Sequence, residues 1–242
     1  MRQLCRQADG LIAVSAGVAD SISAISGIPA TRIAVAPNPV ISPDLYAQAS
    51  KAPSHRWLQE GDSPVIVGMG GLRKQKDFAT LIRAFAQLRA HKPCRLLIIG
   101  QGRQQGRLQA LAYELGVAED VDLPGFVERP YADLSRATVF ALSSLWEGSP
   151  NALTEAMALG VPVVATDCPS GPRELLDNGR YGPLVPPADP QAMAAALDHC
   201  LTSPLPAHRL RAAVQAYTVD NSAHRYLQLL GLQSRKTPAV LC

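Results

Sequence analysis

The sequence predicts an α/β protein built on a doubly wound, Rossmann-like parallel sheet. Short apolar runs alternate with longer stretches whose apolar residues repeat at helical spacing, most regularly from Ser63 to Leu201. Because the apolar runs lack clear polar alternation, we expect helices to cover both faces of the sheet. With 242 residues, of which 47% are hydrophobic and 18% charged, the chain is long and apolar enough to bury a sizeable core.

Gly, Pro and Asp bound the apolar runs, which identifies each run as a short strand. In the main sheet we predict strands over residues 64–69, 95–99, 121–123, 139–142, 161–166 and 184–186. Helical spacing predicts helices over residues 77–90, 103–115, 131–135, 151–158, 173–177 and 189–201, and one tail helix over about 207–232. Strands that alternate with helices in this way predict a parallel sheet.

Four parts follow from this pattern along the chain. The first 44 residues hold two short strands and one helix, which Ser15 caps, and this is too little for an independent core. We therefore predict a remnant of another domain at 1–44, a linker at 45–62, the Rossmann-like domain at 63–204, and a C-terminal helix and tail at 205–242.

Composition excludes several classes of partner. The net charge is +3, and no run of Lys or Arg is interleaved with aromatic residues, so we predict no nucleic-acid partner. The longest apolar stretches fall well short of the ~20 residues that span a bilayer. The five cysteines lie far apart without histidines at ligand spacing, so we expect reduced, mostly buried thiols, no metal site and a cytoplasmic protein.

Ligands of doubly wound sheets bind at the carboxyl ends of the strands, and the loop after the strand at 64–69 is basic. It begins with Gly70 and Gly71, which let the backbone approach a ligand, and it ends at Lys76. Asp77 then suits the N-cap of the next helix. Two cations in this loop suit a diphosphate, although a solvated basic turn is the alternative reading of the same residues.

Three other patterns predict no site. Gly100 and Gly102 resemble part of a dinucleotide fingerprint, but Gln105 stands where the third glycine is required, so we predict a plain glycine turn. Asp120 and Asp122 lie at the amino end of a strand, where we expect solvated carboxylates. The scattered histidines, at positions 55, 91, 199, 208 and 224, form no hydrolase triad with Ser and Asp.

A turn rich in helix breakers, from Gly148 to Asn151, precedes the helix at 151–158. Pro150 suits the first helical position, where its missing N–H would be unpaired anyway. The next three amides then point out of the helix N-terminus and predict an anion site; they belong to Asn151, Ala152 and Leu153.

Two glutamates flank this helix start. Glu147 stands just outside the terminus, and Glu155 lies about one turn inside it. If a phosphate occupies the amides, both carboxylates are free to accept hydrogen bonds from hydroxyl groups. A ligand that carries phosphate and hydroxyl groups is a nucleotide sugar, whereas the alternative is a pair of carboxylates that only stabilise the helix dipole.

The segments that surround these residues resemble a known family. The run EGSPNALTEAMALGVPVVATDCPSGPREL is similar to the E-x7-E segment of retaining GT-B glycosyltransferases of family 4. GMGGLRKQKDFATLIRAFAQL resembles that family's G-R-L-x-x-x-K-x-F-x-x-L-I-x-A-F motif. ADGLIAVSAGVADSI and IAVAPNPV resemble the closing segment of the family's N-terminal, acceptor-binding domain. The resemblance extends over nearly all of residues 8–230.

This resemblance implies retaining transfer of a hexose from a nucleotide diphosphate sugar, with UDP-hexose favoured, to an acceptor hydroxyl without a metal or other cofactor. Lys76 would contact the diphosphate. The motif's arginine is replaced by Gly71, and Arg73 is the candidate substitute. Glu147 would bind hydroxyls of the transferred sugar, and Glu155 those of the ribose.

The remaining ligand contacts implied by the resemblance are mostly made by the backbone. Phe126 and Val127 would line the base pocket, and amides near the phosphate and sugar would come from the turn and helix start, at Gly148, Asn151, Ala152 and Leu153. Gly70 and Gly71 complete the predicted donor site.

The resemblance also implies that a whole acceptor domain precedes these segments in the family. We therefore expect a donor-binding half that transfers little alone, a partner chain or homodimer that covers the incomplete N-terminal part, and an acceptor that could hold the protein peripherally at the inner membrane. One alternative is a non-catalytic nucleotide-sugar-binding module that needs a partner half. Another is a GT-B phosphorylase or epimerase.

Overall fold

The computed structural model describes residues 5, 7–61 and 63–232. Its main sheet has six strands: β3 (Val65–Met69), β4 (Arg95–Ile99), β5 (Val121–Gly125), β6 (Val139–Leu142), β7 (Val163–Thr166) and β8 (Leu184–Val185). Their order is β5-β4-β3-β6-β7-β8, and every neighbouring pair is parallel. A second, two-stranded parallel sheet pairs β1 (Leu11–Ala13) with β2 (Ile33–Val35). The predicted α/β, Rossmann-like fold class is confirmed.

Helices connect the strands at nearly the predicted places. They are α1 (Ala16–Ser26), α2 (Pro43–Ala49), α3 (Arg56–Glu60), α4 (Phe78–Arg89), α5 (Gln105–Glu114), α6 (Tyr131–Leu134), α7 (Asn151–Leu159), α8 (Pro172–Leu175), α9 (Pro190–Thr202), α10 (Ala207–Ala213) and α11 (Val219–Leu229). In the described part of the chain, no helix combines the length and the apolar character needed to cross a membrane.

Both faces of the main sheet are buried because successive strand residues point to opposite sides. In β4, Leu96 and Ile98 pack into a core layer with α4, α5 and α9, whereas Leu97 and Ile99 pack into a layer with α2, α7 and α10. We call these the α4–α5 layer and the α7 layer. Two-sided burial explains why the strands read as continuous apolar runs.

The predicted tail helix over about 207–232 is wrong as a single element. It divides into α10 and α11, because the chain between them turns back to the N-terminal part of the molecule. The carbonyl of Tyr217 accepts hydrogen bonds from the amides of Val40 (3.0 Å) and Ile41 (2.9 Å). Ser222, in α11, donates to the carbonyl of Pro37 at 2.6 Å. Residues beyond 232 lie outside the described part.

The first sheet and α1 form a small unit around Ala13, Ala19 and Ile33. Ser15 caps α1 as predicted, because its side chain accepts from the amide of Val18. The strand β1 pairs with β2 along one edge.

The small unit is held against the main domain at the carboxyl end of the sheet. The carboxylate of Glu174 accepts from the first two amides of α1, those of Ala16 and Gly17, at 2.8 Å each. Ser15 also donates to the carbonyl of Gly148 at 2.7 Å. The small unit therefore contacts the same turn that carries the predicted ligand residues.

The described cysteines are free thiols, as expected, and Cys242 lies outside the described residues. Cys94, Cys168 and Cys200 are buried, and burial raises the pKa of each thiol to about 11. These three side chains therefore remain protonated and act as small apolar groups.

Candidate functional site

The strand order reverses between β3 and β6, and this is where the two most important predicted residues meet. After β3 the chain builds β4 and β5 on one side and then returns to add β6 on the other. A crevice forms outside the carboxyl ends of strands at such a switch point. Lys76 follows β3 and Glu147 follows β6, and Lys76 Nζ lies 2.5 Å from Glu147 Oε1.

The ion pair is largely withdrawn from solvent. The side chain of Glu147 is 7% exposed and that of Lys76 is 19% exposed. Ser144 also donates to Glu147 Oε1, at 2.7 Å. A carboxylate that is largely buried must be paired with a cation or with hydrogen-bond donors. In Glu147 the same oxygen, Oε1, accepts from both Lys76 and Ser144.

The loops that carry Lys76 and Glu147 are joined by a set of hydrogen bonds that sequence reasoning missed. Ser143 donates to the carbonyl of Lys76 at 2.8 Å. The side chain of Gln75 donates to the carbonyl of Trp146 at 2.9 Å, and the amide of Leu145 donates to the carbonyl of Gln75 at 2.8 Å. The only signal in the sequence was the polar pair at 143–144 directly after an apolar strand.

This arrangement leaves bonding capacity directed at a ligand. Glu147 Oε2 accepts no hydrogen bond from any described residue, so it is available to a hydroxyl group. The Lys76 ammonium has three N–H donors, and the described residues use one of them. The crevice can therefore hold an anion and a hydroxyl group side by side.

The helix start behind Glu147 differs in detail from the prediction. Pro150 is the N-cap rather than the first helical residue, so the helix begins at Asn151. The amide of Leu153 is not free, because it donates to the carbonyl of Pro150 at 3.0 Å. Of the three predicted amides, those of Asn151 and Ala152 have no partner among the described residues. The Asn151 side chain accepts from Asn38 Nδ2 at 2.9 Å.

Glu155 lies inside α7, and its partner is a tyrosine that the sequence analysis did not single out. The hydroxyl of Tyr131 donates to Glu155 Oε1 at 3.1 Å. Burial raises the pKa of Glu155, and this hydrogen bond opposes the rise. The pKa of Tyr131 is raised to about 12, first by burial and then by the Glu155 carboxylate, so the phenol remains a donor. Only a search for contacts across the fold could have found Tyr131.

The glycines of the basic loop leave room for two of its three cations, Lys76 and Arg73. Gly70 has a φ of 149°, and a Cβ added there would lie 3.1 Å from Lys76 Cε. A Cβ on Gly71 would lie 3.3 Å from Arg73 Nε. The Lys76 side chain therefore runs along Gly70, and the Arg73 side chain folds back beside Gly71. Asp77 is at the N-cap position, but its side chain accepts from the Thr80 hydroxyl rather than from a backbone amide.

The predicted glycine turn at Gly100 and Gly102 is confirmed, with a physical reason for both glycines. A Cβ on Gly100 would lie 1.9 Å from the carbonyl oxygen of Gly70, and one on Gly102 would lie 2.4 Å from that of Leu72. The loops after β3 and β4 thus touch through their backbones, with the amide of Leu72 donating to the carbonyl of Gln101 at 3.0 Å.

Phe126 and Val127 follow β5 on the far side of this loop pair. The Phe126 side chain is exposed (68%), whereas Val127 is half-buried and packs against the α7 layer with Tyr131. Phe126 is therefore available for a ligand to cover, whereas Val127 is part of the packed α7 layer.

The expectation that Asp120 and Asp122 are solvated carboxylates without partners is wrong, because each contacts a basic side chain. Asp120 pairs with Arg89 Nε at 2.8 Å, and Asp122 contacts His55 Nε2 at 2.9 Å. Both bonds lie at the amino end of β5 and tie neighbouring elements together. Among residues 5, 7–61 and 63–232, no group of three or more His, Cys, Asp or Glu side chains is arranged to hold a metal ion.

The fold is that of a glycosyltransferase domain. Residues 52–217 match the family described as Glycosyl transferases group 1, and the chain belongs to that family. A lipopolysaccharide 1,6-galactosyltransferase of Salmonella typhimurium is 32% identical over 191 residues, which are 74% of this chain and 49% of the relative. The N-acetylgalactosamine-N,N'-diacetylbacillosaminyl-diphospho-undecaprenol 4-alpha-N-acetylgalactosaminyltransferase of Campylobacter jejuni is 41% identical over 120 residues, 50% of this chain and 32% of the relative.

Solved structures show the same fold. Anabaena HepE, in complex with UDP and glucose, superposes with a TM-score of 0.82 at 24% identity over 96% of this chain and 65% of that chain. The lipopolysaccharide outer core galactosyltransferase WaaB superposes with a TM-score of 0.75 at 26% identity over 93% and 62%. The chain thus spans half or less of these two curated relatives and about two thirds of the two solved structures.

Proposed function

We propose that this chain is the donor-binding part of a retaining GT-B glycosyltransferase of family 4. Its reaction moves a hexose from a nucleotide diphosphate sugar, with UDP-sugar favoured, to an acceptor hydroxyl. The observation that carries the proposal is the pair formed by Lys76 and Glu147 at the switch point, with donors and one carboxylate oxygen still open.

Each group has a role that fits its position. Lys76 contacts the donor diphosphate, and the free amides of Asn151 and Ala152 lie near the phosphate and the sugar. Glu147 accepts from hydroxyls of the transferred sugar through its open oxygen. Breaking the bond between sugar and phosphate develops negative charge on the leaving diphosphate, and fixed donors accelerate that step because they bind the changed charge more strongly than the ground state.

Arg73 takes over from the arginine that the family motif has at position 71. Its guanidinium nitrogen Nε lies 3.3 Å from where a side chain on Gly71 would begin, so the cation is supplied from two residues further along the chain. Arginine suits this position because its planar group can bind two phosphate oxygens at once.

The nucleoside lies on the α7 side of the crevice. Glu155 binds the ribose hydroxyls through the oxygen that Tyr131 leaves open, and the base lies against Phe126 and Val127. The Anabaena protein was solved with UDP and glucose, which supports a uridine nucleotide as the first ligand to test.

Nucleotide binding tests the proposal directly. We expect UDP and UDP-sugars to raise the Tm of this chain more than GDP, ADP or their sugars, since a ligand that binds only the folded state stabilises it. Glu155→Gln should weaken UDP binding about tenfold by calorimetry, because a neutral amide accepts weakly from hydroxyls. The control Glu114→Gln removes an exposed charge of α5 and should change the Kd less than twofold.

A Tm that no nucleotide changes would contradict the donor-binding role. If UDP binds but the complete enzyme transfers nothing from any UDP-sugar, the result favours a non-catalytic binding module. Nucleotide turnover without an acceptor would favour the epimerase or phosphorylase readings over transfer.

The bond between Tyr131 and Glu155 predicts a change in the pH dependence of UDP binding. The charged carboxylate is the better acceptor for ribose hydroxyls, and burial already raises its pKa. Tyr131→Phe removes the hydrogen bond that lowers the pKa of Glu155, so that pKa should rise further. As the pH falls, Glu155 of the variant should therefore become protonated earlier than in the wild type. The loss of UDP binding on acidification should then begin at a higher pH in the variant. At neutral pH we expect a loss of about twofold to tenfold.

Measuring the Kd for UDP at a series of pH values from about 5 to about 8 tests this effect, because the raised pKa of Glu155 lies above the ordinary carboxylate pKa. Tyr113→Phe is the matched control, because the Tyr113 side chain is 80% exposed on α5. Superimposable pH profiles for Tyr131→Phe and wild type would show that the tyrosine does not act through Glu155.

A further inference from the structure

A second cleft, of about 800 Å³, opens beside the candidate site between the loops that follow β3 and β4. Arg73 and Lys74 line it from one loop and Arg103 from the other. We call it the basic cleft; its other lining residues are Leu72, Gln101, Gly102 and Gln104. No acidic residue among the described ones lines it.

The cations of the basic cleft have no counter-charge. In residues 5, 7–61 and 63–232, neither Arg73 nor Lys74 nor Arg103 forms an ion pair or a side-chain hydrogen bond. Other basic side chains of the domain are neutralised by aspartates, in the pairs Arg89–Asp120, Lys92–Asp198 and Arg173–Asp167. The first turn of α5, which begins beside the cleft, contains no acidic residue. Three like charges around one concave surface raise the local affinity for an anion.

The basic cleft is separate from the proposed nucleoside pocket. Leu72, at the base of the cleft, packs into the α4–α5 layer, whereas Val127 and Tyr131 pack into the α7 layer on the opposite face of the sheet. The nucleoside and the contents of the cleft therefore lie on different sides of the same sheet edge. Arg73 lies at the boundary, because its side chain also lies beside Gly71.

The walls of the basic cleft are fixed before any ligand arrives. The amide of Leu72 donates to the carbonyl of Gln101 at 3.0 Å, and the amide of Gln104 donates back to the carbonyl of Leu72 at 3.2 Å. Gly102 packs so tightly on Leu72 that a Cβ has no room. Preformed spacing between cations reduces the ordering cost of binding.

We propose that the basic cleft binds a phosphate monoester or diphosphate group that belongs to a second ligand, distinct from the nucleotide donor. Because Arg73 is assigned to the donor diphosphate, the second ligand is held by Arg103, whose guanidinium group can bind two phosphate oxygens at once, and by the ammonium group of Lys74. The amide groups of Gln101 and Gln104 can donate to the remaining oxygens. The distinction from the donor rests on the proposed function, whereas the anion site itself rests on the geometry of the cleft.

Calorimetry with soluble probes tests the site on this chain. Inorganic pyrophosphate is titrated into protein that is already saturated with UDP, and glycerol 3-phosphate is the second probe. We expect pyrophosphate to bind at one site, and Lys74→Gln and Arg103→Gln each to weaken it at least tenfold, while the Kd for UDP changes less than twofold. Lys51→Gln removes an exposed charge outside the cleft and should leave pyrophosphate binding within twofold of wild type.

The outcomes separate the possible explanations. Binding of both probes assigns the site to a phosphate carried on a larger molecule, and binding of pyrophosphate alone assigns it to a free anion. If UDP abolishes pyrophosphate binding, or if Lys51→Gln weakens it as much as Lys74→Gln does, the basic cleft is not a second site. If UDP fails to bind but pyrophosphate binding still depends on Lys74 and Arg103, the donor proposal fails and the anion site stands.

Discussion

Lys76→Ala and Glu147→Ala should each lower sugar transfer by the complete enzyme about 10²–10³-fold, the usual loss when one fixed donor is removed from a site that stabilises developing charge. Lys76 is the cation that we propose contacts the leaving diphosphate. Glu147 both positions Lys76 through their 2.5 Å contact and offers its second oxygen to the sugar. Because each acts through the other, the double variant should be little worse than either single one.

The experiment must distinguish a loss of catalytic activity from a loss of folding stability. Removing the Glu147 carboxylate leaves Lys76 partly buried without its anion, which can lower the Tm as well. Glu147→Gln keeps the size and one acceptor oxygen, so its Tm should fall less than that of Glu147→Ala while its transfer rate remains low. Lys51→Ala is the control for loss of one lysine. A turnover of either Lys76→Ala or Glu147→Gln close to wild type would remove the pair from the mechanism.

Gly100→Ala should destabilise the protein by about 3 kcal/mol or more, from overpacking together with backbone strain. The added Cβ would lie 1.9 Å from the carbonyl oxygen of Gly70, and the φ of Gly100 is 147°. The nearest atoms belong to backbone rather than to a flexible side chain, so β3 and β4 must move apart to accommodate the methyl group. The free energy of unfolding from denaturant titration measures the loss.

Alanine substitutions at two other glycines provide comparisons for the stability loss of Gly100→Ala. A Cβ on Gly68 meets the ends of the Leu81 and Phe78 side chains at 3.0 Å, which can shift, so Gly68→Ala should cost less than Gly100→Ala. Gly106 lies in α5 with no atom within 4 Å of an added Cβ, and Gly106→Ala should stabilise the protein by about 0.5–1 kcal/mol. Equal unfolding free energies for Gly100→Ala and Gly106→Ala would refute the close contact between the loops.

The stability of the loop contact matters for function because both proposed ligand sites depend on it. The loop that Gly100 supports carries Lys76 into the crevice and Arg73 and Lys74 into the basic cleft. A variant that separates β3 from β4 should therefore weaken UDP and pyrophosphate together, unlike substitutions in either site alone.

The sequence alone predicted the fold class, the edge of the sheet where we expect ligands to bind and the segments that resemble the family. These features depend on order and spacing along the chain. Apolar runs of strand length separated by helical periodicity define the parallel sheet, and a parallel sheet places every loop that follows a strand at one edge. Glu147 and Lys76 could be selected from the sequence because each lies in a loop that follows a strand.

Only the tertiary structure decided how these residues work together. The Lys76–Glu147 contact joins positions 71 residues apart, and the bond from Tyr131 to Glu155 joins two different elements. The structure also showed that the amide of Leu153 donates a hydrogen bond to the carbonyl of Pro150 and is therefore not free. It showed as well that the predicted tail helix is interrupted where the carbonyl of Tyr217 accepts hydrogen bonds from Val40 and Ile41. Periodicity records which face of an element is apolar, but hydrogen-bond partners depend on distances of a few tenths of an ångström, which are fixed only when the layers pack.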